Sequence, residues 1–395
     1  MIKLTPLRLA AIIMVFILIS IQFLSSDHLK HVLSTATRYM VNQNMTRYSS
    51  NGREIFIADH KETHHSESYW YDKWKTRPPG GHVLLLAYMR SGSSFIGNVL
   101  QNSPDVVYIF EPLYSLHKLY RKTERPLTFL FKKPFFLKNE EFGDMENEVL
   151  SSFLSCNFTN LDLETLTQMH FERGRFLTYD VCLRKGSSKP PDIFGCLHHL
   201  YNECRRRNVS LVKTIRFTLK KAELLMQKDP MLKVIHLVRD PRAIISSKLR
   251  LGQQDGVLNI EEESKQLCNQ MAEDVILFRH LEKNYKLRLK QVRYEDTVKE
   301  PITIFKDLYE FINVSYSGHQ KDYITQLTNK NANTGCAYCV ESKIALNTAH
   351  AWRYSMQIQT VKVIDKNCGL LNNLLGYVNV DNETHLVNTN VQLYK

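Results

Sequence analysis

An arginine and three serines follow an apolar run near the middle of the first half of this chain. The run is 82–88 (HVLLLAY), and the polar stretch is 89–95 (MRSGSSF). Small residues let backbone N–H groups approach an anion, hydroxyls donate hydrogen bonds, and arginine carries a permanent charge. Because Ile96, Val99 and Leu100 then recur at helical spacing, the sequence predicts a strand, a phosphate-binding loop and a helix.

A second segment repeats this layout. The apolar run 233–238 (KVIHLV) is followed by Arg239, by Asp240 as a helix N-cap and by Pro241 in the first helical turn. Arg239 therefore ends a strand, and open α/β sheets bind ligands at the carboxyl ends of their strands. Ser247 lies about two helical turns further on.

Simpler interpretations exist for both segments. The first could be a polar turn that caps a helix, and Arg239 with Asp240 could form a surface ion pair. Two such units in one chain favour instead a ligand that carries phosphates at two places. The Walker pattern GxxxxGK[ST] is absent from the sequence, which argues against an ordinary ATPase or GTPase.

These segments resemble the carbohydrate sulfotransferases, and most closely the galactose/N-acetylglucosamine/N-acetylgalactosamine 6-O-sulfotransferase group. Residues 82–112 are similar to the 5′-phosphosulfate loop of that family, and residues 232–247 are similar to its 3′-phosphate segment. The likeness continues in SLVKTIRF (210–217), QVRYEDTVKEP (291–301) and residues 351–377. It covers most of the chain after residue 82 except the stretch 113–208, where acceptor-specific insertions are expected.

The resemblance implies an α/β fold with a mostly parallel sheet and a P-loop-like phosphate site. It implies 3′-phosphoadenosine 5′-phosphosulfate (PAPS) as co-substrate, no metal, and transfer of a sulfuryl group to a hydroxyl, the 6-hydroxyl, of GlcNAc, Gal or GalNAc in glycoprotein or proteoglycan glycans. By position, the 5′-phosphosulfate loop would consist of Arg90, Ser91, Gly92, Ser93, Ser94 and Phe95. Arg239 and Ser247 would bind the 3′-phosphate, and Arg353 of the late Trp-Arg pair could reach it. Arg90 stands where many sulfotransferases have a lysine, so it is also expected to act in catalysis.

Transfer to a sugar hydroxyl requires a base, and Glu111 is the predicted one. It follows the apolar run 106–110, and Pro112 ends that predicted strand beside the first loop. Glu111 could instead hold a loop by a salt bridge, and His117 is the second choice of base. In the VKTIR stretch, Lys213 and Arg216 could face the donor, an anionic acceptor or only solvent.

The N-terminus predicts a membrane anchor. Residues 9–24 are apolar and uncharged, and no signal-peptidase site follows them, so an uncleaved anchor is favoured over a cleaved signal peptide. We therefore predict a cytosolic tail at 1–8, a transmembrane signal-anchor at 9–24, a stem at 25–79 and a catalytic domain at 80–395.

Sequons and cysteines indicate on which side of the membrane the catalytic domain lies. N-x-[ST] sequons begin at Asn44, Asn157, Asn208, Asn313 and Asn382. The chain has 8 cysteines, which behind an anchor predict structural disulfides of unknown pairing; a zinc site at the single CxxC, 336–339, is a weaker interpretation. The expected location is the Golgi membrane, as a single-pass type II protein with a luminal catalytic domain.

Composition limits the other classes of function. The chain has 395 residues, 43% of them hydrophobic, which excludes a wholly disordered chain, and a net charge of +12, which favours an anionic partner. Nucleic acid is excluded by the predicted luminal topology, so the expected partner is a glycan acceptor; the oligomeric state is open. Two alternatives remain: a catalytically inactive glycan-binding protein on the same scaffold, and a luminal nucleotide-dependent kinase.

Overall fold

The structure is a computed structural model. It describes residues 45–50, 53–58, 80–122, 125–168, 170–171, 176–186, 189–252, 259–329, 345–388 and 390–394. The predicted anchor at 9–24, the CxxC cysteines at 336–339 and most of the stem lie outside these ranges. Within them, no helix has the length and apolar character needed to cross a membrane. Strands β1 (Met45–Ser50) and β2 (Arg53–Ala58) form an antiparallel pair inside the predicted stem, an element that the sequence analysis missed.

A five-stranded parallel sheet positions the predicted site. Its strands are β3 (Gly81–Leu86), β4 (Val106–Phe110), β5 (Val209–Thr214), β6 (Leu232–Val238) and β7 (Leu289–Arg293), arranged in the order β4-β5-β3-β6-β7. Apolar runs such as VLLL in β3 are buried in the sheet, as parallel strands covered on both faces require. The sequence predicted the strands at 82–88, 106–110 and 233–238, and the mostly parallel α/β fold is confirmed.

The strand order places the binding crevice expected of an open α/β sheet beside β3. In the sheet, β4 and β5 lie on one side of β3, and the later strands β6 and β7 lie on the other side. Open α/β sheets bind ligands outside the carboxyl ends of their strands at such a reversal. The loops after β3 and β6 meet there because the two strands are direct neighbours, with Leu86 opposite His236.

Helices cover the sheet and build the rest of the domain. They are α1 (Ser93–Leu100), α2 (Tyr114–Lys122), α3 (Phe142–Leu154), α4 (Leu163–Leu166), α5 (Leu177–Lys185), α6 (Pro190–Arg205), α7 (Leu219–Lys228), α8 (Pro241–Gly252), α9 (Ile260–Leu281), α10 (Tyr294–Lys299), α11 (Pro301–Phe311), α12 (Gly318–Asn329), α13 (Ala345–His350), α14 (Trp352–Ser355), α15 (Ile358–Asn367), α16 (Gly369–Leu375) and α17 (Glu383–Val387). One hydrophobic cluster joins β3, α1 and α11, and another joins α8, α9, α15 and α16.

A buried arginine attaches the C-terminal helices to the second phosphate-loop segment. Arg242 is fully buried at the start of α8 and donates to both oxygens of Asp240, at 2.9 and 2.8 Å. It also donates to Asp365 of α15 at 3.3 Å and to the carbonyl of Val378 at 2.8 Å, and it lies over the Trp352 ring. These partners together offset the free-energy cost of burying the Arg242 guanidinium, which would be large without them.

The predicted structural disulfides are present. Cys156 pairs with Cys204 and Cys182 with Cys196, both within the stretch 113–208 that the resemblance does not cover. The third bond joins Cys268 of α9 to Cys368 at the end of α15, across a sequence separation of 100 residues.

Removing the third disulfide is expected to destabilise the protein more than removing the bond between Cys182 and Cys196. In the chain-entropy account, closing a loop of 100 residues contributes about 4.7 kcal/mol to the free energy of unfolding, and a loop of 14 residues about 3 kcal/mol. We expect Cys268→Ser with Cys368→Ser to lower the midpoint of urea unfolding further than Cys182→Ser with Cys196→Ser. The reverse order would contradict this prediction.

Candidate active site

The first loop is held in a shape that only glycine permits at one position. Gly92, the N-cap of α1, has a φ of 93°, and a Cβ there would lie 2.3 Å from the Tyr294 ring. The N–H of Ser91 donates to the Tyr88 carbonyl at 3.0 Å, and the Ser91 hydroxyl accepts from the Tyr88 N–H at 3.3 Å. At the start of α1, the N–H groups of Ser93 and Ser94 have no helical acceptor, as in the first turn of any helix, whereas the Phe95 N–H donates to the Gly92 carbonyl at 3.0 Å.

The two residues predicted to act in catalysis both have strained backbones. Arg90 has a φ of 69° and Glu111 a φ of 51°. In the described part of the chain, Cys156 and Asn313 are the other non-glycine residues with positive φ. Such a conformation costs a side-chain-bearing residue about 1–2 kcal/mol and clusters at functional sites.

The two predicted phosphate segments contact each other directly. Nε of Arg90 donates to the Ser247 hydroxyl at 2.9 Å. Nη1 of Arg239 donates to the backbone carbonyl of Arg90, also at 2.9 Å. Three predicted ligand-binding residues, far apart in sequence, therefore come together at the carboxyl ends of β3 and β6.

Arg239 has the surroundings of an anion-binding group. Its residue is 5% exposed, and its guanidinium lies 4.3 Å over the Tyr294 ring. It donates to backbone carbonyls of Arg90 and Thr348, and among the described residues no carboxylate forms an ion pair with it. Nε of Arg239 is buried without a hydrogen-bond partner. A buried charged donor of this kind needs an acceptor, and an anionic ligand would supply one.

A buried carboxyl group contacts the backbone next to Arg239. Glu295 of α10 accepts from the Asp240 N–H at 3.0 Å and from the Tyr377 hydroxyl at 3.1 Å. Burial, followed by the nearby negative charge of Asp240, raises the pKa of Glu295 to about 7. These contacts give Glu295 a structural role beneath the second phosphate segment.

A buried polar network lies under the first loop, and the sequence analysis missed it. The Tyr88 hydroxyl donates to Asp274 of α9 at 2.8 Å and lies 2.8 Å from Nε2 of His236, whose Nδ1 is 3.1 Å from the Gln291 amide. Asp274 also accepts from the Leu219 N–H at 2.9 Å. Burial raises the pKa of Asp274 to about 6 and lowers that of His236 to about 3. No local sequence pattern predicts these contacts, because each partner comes from a different element.

Glu111 lies at the end of β4 with both carboxylate oxygens engaged. Oε1 accepts from Nζ of Lys213, and Oε2 accepts from Nη1 of Arg216 at 2.5 Å and from the Ile215 N–H at 3.4 Å. Glu111 is 2% exposed. The structure therefore brings Lys213 and Arg216 to Glu111, and its contacts are those of the salt-bridge interpretation.

Other predicted residues have different surroundings. His117 of α2 contacts the buried Glu146 at 2.9 Å, and Lys221 also pairs with Glu146. Arg353 donates to carbonyls of the C-terminal segment, including Leu386 at 2.7 Å and Val391 at 3.1 Å. A role for Arg353 in donor binding therefore has no support from this arrangement, and its guanidinium instead holds the C-terminal segment.

The remaining residues of the first loop have mixed roles. Ser93 and Ser94 occupy the first turn of α1, and Phe95 is buried in contact with Tyr294 and Phe305, so Phe95 supports the loop by packing. Among the described residues, no three His, Cys, Asp or Glu side chains come together as a metal site would require.

Comparison with known proteins identifies the family. Residues 83–318 match the sulfotransferase family. The chain belongs to the sulfotransferase family. It is 25% identical over 338 residues to carbohydrate sulfotransferase 4 of Mus musculus, covering 79% of this chain and 86% of that protein. It is 26% identical over 352 residues to carbohydrate sulfotransferase 3 of Homo sapiens, covering 80% and 71%.

One further relative and one solved structure are also similar to the chain. Carbohydrate sulfotransferase 1 of Mus musculus is 27% identical over 346 residues, covering 79% of this chain and 83% of that protein. The sulfotransferase domain of the Synechococcus PCC 7002 olefin synthase aligns with a TM-score of 0.39 and 16% identity, over 74% of this chain and 96% of that one. The assignment rests on the sequence matches. As a sulfotransferase, the protein is an enzyme of sulfuryl transfer, as the resemblance predicted.

The raised pKa of Glu295 predicts a pH-dependent stability. The folded state keeps a proton on Glu295 that the unfolded state loses, so this contribution is complete below pH 4.5 and is lost as the pH rises through about 7. We expect Glu295→Gln, which mimics the protonated carboxyl, to gain stability relative to wild type between pH 4.5 and 8. The gain is on the order of 3 kcal/mol.

Urea unfolding at several pH values measures this difference, and Glu310→Gln on the exposed side of α11 is the control. The difference between Glu295→Gln and wild type should change with pH by more than the difference for the control. A constant difference for Glu295→Gln would show that this carboxyl does not titrate in the range.

Proposed function

We propose that this sulfotransferase transfers a sulfuryl group from PAPS to a sugar hydroxyl, the 6-hydroxyl of GlcNAc, Gal or GalNAc in a glycoprotein or proteoglycan glycan. The observation that carries the donor assignment is the contact between Arg239 and Arg90, which joins two cationic loops in one crevice. The names of the curated relatives support a carbohydrate acceptor.

The residues of the crevice fit a donor with phosphates at both ends. The helix N-terminus of α1 favours an anion through its free N–H groups and its dipole, and Arg90 adds a charge beside it. Arg239 offers a buried, unpartnered Nε, and the Ser247 hydroxyl lies within reach of the same loops. When bound, PAPS supplies the sulfuryl group and a phosphate leaving group. Arg90, Ser91, Gly92, Ser93 and Ser94 would hold its 5′ end, and Arg239 and Ser247 its 3′-phosphate.

Arg90 and Glu111 would have different roles in the reaction. Negative charge develops on the leaving oxygen, and a fixed guanidinium stabilises it in a site shielded from water. Arg90 remains protonated, so it acts by its charge rather than by giving a proton. Glu111 would take the proton of the sugar hydroxyl, which is a poor nucleophile while protonated.

Glu111→Gln is expected to reduce sulfate transfer by about 100-fold or more while donor binding persists, because the amide cannot accept the proton. The matched control is Glu146→Gln, which removes another buried carboxylate that is paired with a lysine. Transfer of radiolabelled sulfate measures turnover, and calorimetry with 3′-phosphoadenosine 5′-phosphate (PAP) measures donor-site binding. Near-normal turnover in Glu111→Gln would remove Glu111 from the mechanism.

Arg239→Ala is expected to weaken PAP binding by about 10- to 100-fold, since a buried charge-assisted hydrogen bond is lost. Ser247→Ala should cost less, because a neutral hydroxyl contributes a weaker hydrogen bond. Calorimetric titration with PAP measures both constants. Unchanged affinity in Arg239→Ala would place the 3′-phosphate elsewhere.

The acceptor can be identified by direct assay. The full-length protein in detergent, free of added metal, would be offered labelled PAPS and a panel of desulfated glycans, with Arg239→Ala beside it. Label on one glycan that disappears with Arg239→Ala would support the proposal and identify the acceptor. PAP binding without transfer to any glycan would favour the inactive glycan-binding alternative, and metal-dependent phosphate transfer from ATP would favour the kinase.

We also propose that the enzyme is a type II protein of the Golgi membrane, with its anchor at 9–24 and its catalytic domain in the lumen. The disulfides of the catalytic domain support an oxidising compartment. Asn208, Asn313 and Asn382 are exposed, as glycosylated asparagines must be.

A further inference from the structure

The Glu111 cluster consists of Glu111, Lys213 and Arg216, and it carries one more positive than negative charge. Both cations pair with the single carboxylate. Oε2 of Glu111 already accepts two hydrogen bonds, from Arg216 and from the Ile215 N–H, so neither of its lone pairs is available for the proton of a sugar hydroxyl. For Oε2 to act as the base, its bond to Arg216 must open during the reaction.

The two cations differ in their access to an incoming molecule. The Lys213 side chain is 4% exposed and lies 4.3 Å from the centre of the Phe110 ring. The Arg216 side chain is 26% exposed and lies 5.1 Å from the centre of the Tyr114 ring. Lys213 is therefore part of the interior, and Arg216 is the cation that an acceptor can reach.

Arg216 also has unused hydrogen-bonding capacity. Within the part of the chain that the structure describes, its Nη1 donates to Glu111, while its Nε and Nη2 make no hydrogen bond. The guanidinium fork matches a carboxylate or a sulfate, to which it can donate two parallel bonds. A second oxyanion could therefore bind Arg216 and compete with Glu111 for it.

We propose that Arg216 binds an oxyanion of the acceptor glycan, next to the reacting sugar, and thereby releases Oε2 of Glu111 to act as the base. This inference rests on the proposed function. The acceptor hydroxyl then gives its proton to Oε2 as its oxygen forms the bond to sulfur. The bond from sulfur to the bridging phosphate oxygen breaks, and the electron pair leaves on that phosphate.

This exchange makes Arg216 a specificity-determining residue. The anion of the acceptor takes the place of Glu111 as the charge-assisted hydrogen-bond partner of Arg216. The free-energy change of this exchange is therefore close to zero. A neutral acceptor offers no replacement, and Glu111 stays paired. The oxyanion is either the carboxylate of a uronic acid or a sulfate ester already present on a neighbouring sugar, and the two sources require separate tests.

Matched acceptors separate the two sources. One pair is a chondroitin oligosaccharide and its carboxyl-reduced form; the other is a keratan oligosaccharide with and without sulfate on the neighbouring sugar. For at least one pair, the anionic member should show a kcat/KM at least about 10-fold higher with wild type, with part of the gain in kcat. The pair that responds identifies the oxyanion.

Variants of Arg216 distinguish this role from a structural one. Arg216→Gln should bring the ratio of the anionic to the neutral acceptor to near one. It should also raise kcat for the neutral acceptor, because the cation that competes for Oε2 is gone. Arg216→Lys should retain an intermediate ratio. The control is Arg206→Gln, which removes an arginine paired with Glu203 at the end of α6 and should keep the wild-type ratio.

Three outcomes would overturn the inference: equal kcat/KM within both wild-type pairs, an unchanged ratio in Arg216→Gln, or a fall in kcat for both acceptors alike. Binding of the same oligosaccharides to the PAP-bound enzyme provides a readout without turnover, and there Arg216→Gln should weaken only the anionic member. Transfer without charge preference would defeat this inference alone. PAP binding with no transfer to any acceptor would defeat the proposed function as well.

Discussion

The hydrogen bond from Arg239 to the backbone carbonyl of Arg90 is the contact on which the donor site depends. It places two guanidinium groups in one crevice, although like charges repel each other, and the strained backbone of Arg90 turns its carbonyl towards Arg239. The arrangement is possible because β3 and β6 are direct neighbours in a parallel sheet. An anion bound there would neutralise this repulsion and supply an acceptor for the buried Nε of Arg239.

The supports of this contact come from distant parts of the chain. Asp240, next to Arg239, accepts from the buried Arg242, and Glu295 accepts from the Asp240 N–H. Arg242 in turn pairs with Asp365 of α15, so the C-terminal helices determine where the second loop lies. A chain of buried charged groups is costly unless every member is paired, and this requirement links the phosphate site to the stability of the whole domain.

The acceptor side follows a different principle. The donor loops contain a buried cation, Arg239, whose Nε has no partner, whereas Glu111 is paired with Lys213 and Arg216. If the base is released only when an acceptor anion binds, transfer of the sulfuryl group from bound donor to water would be slow in the absence of an acceptor. The disulfide-linked stretch 113–208 lies beside this cluster in sequence, after β4 and before β5.

The sequence alone determined the two loops, because strand, small-residue loop and helix are local patterns that ordinary propensities and spacing report. It also predicted disulfides in general and singled out Glu111, which stands at the end of an apolar run. Only the tertiary structure decided that Glu111 is paired with Lys213 and Arg216, that Arg353 holds the C-terminal segment, and that Tyr88, His236 and Asp274 share a buried network. The physical reason is that burial and charge pairing depend on which distant elements come into contact. The spacing of residues within one segment does not show those contacts.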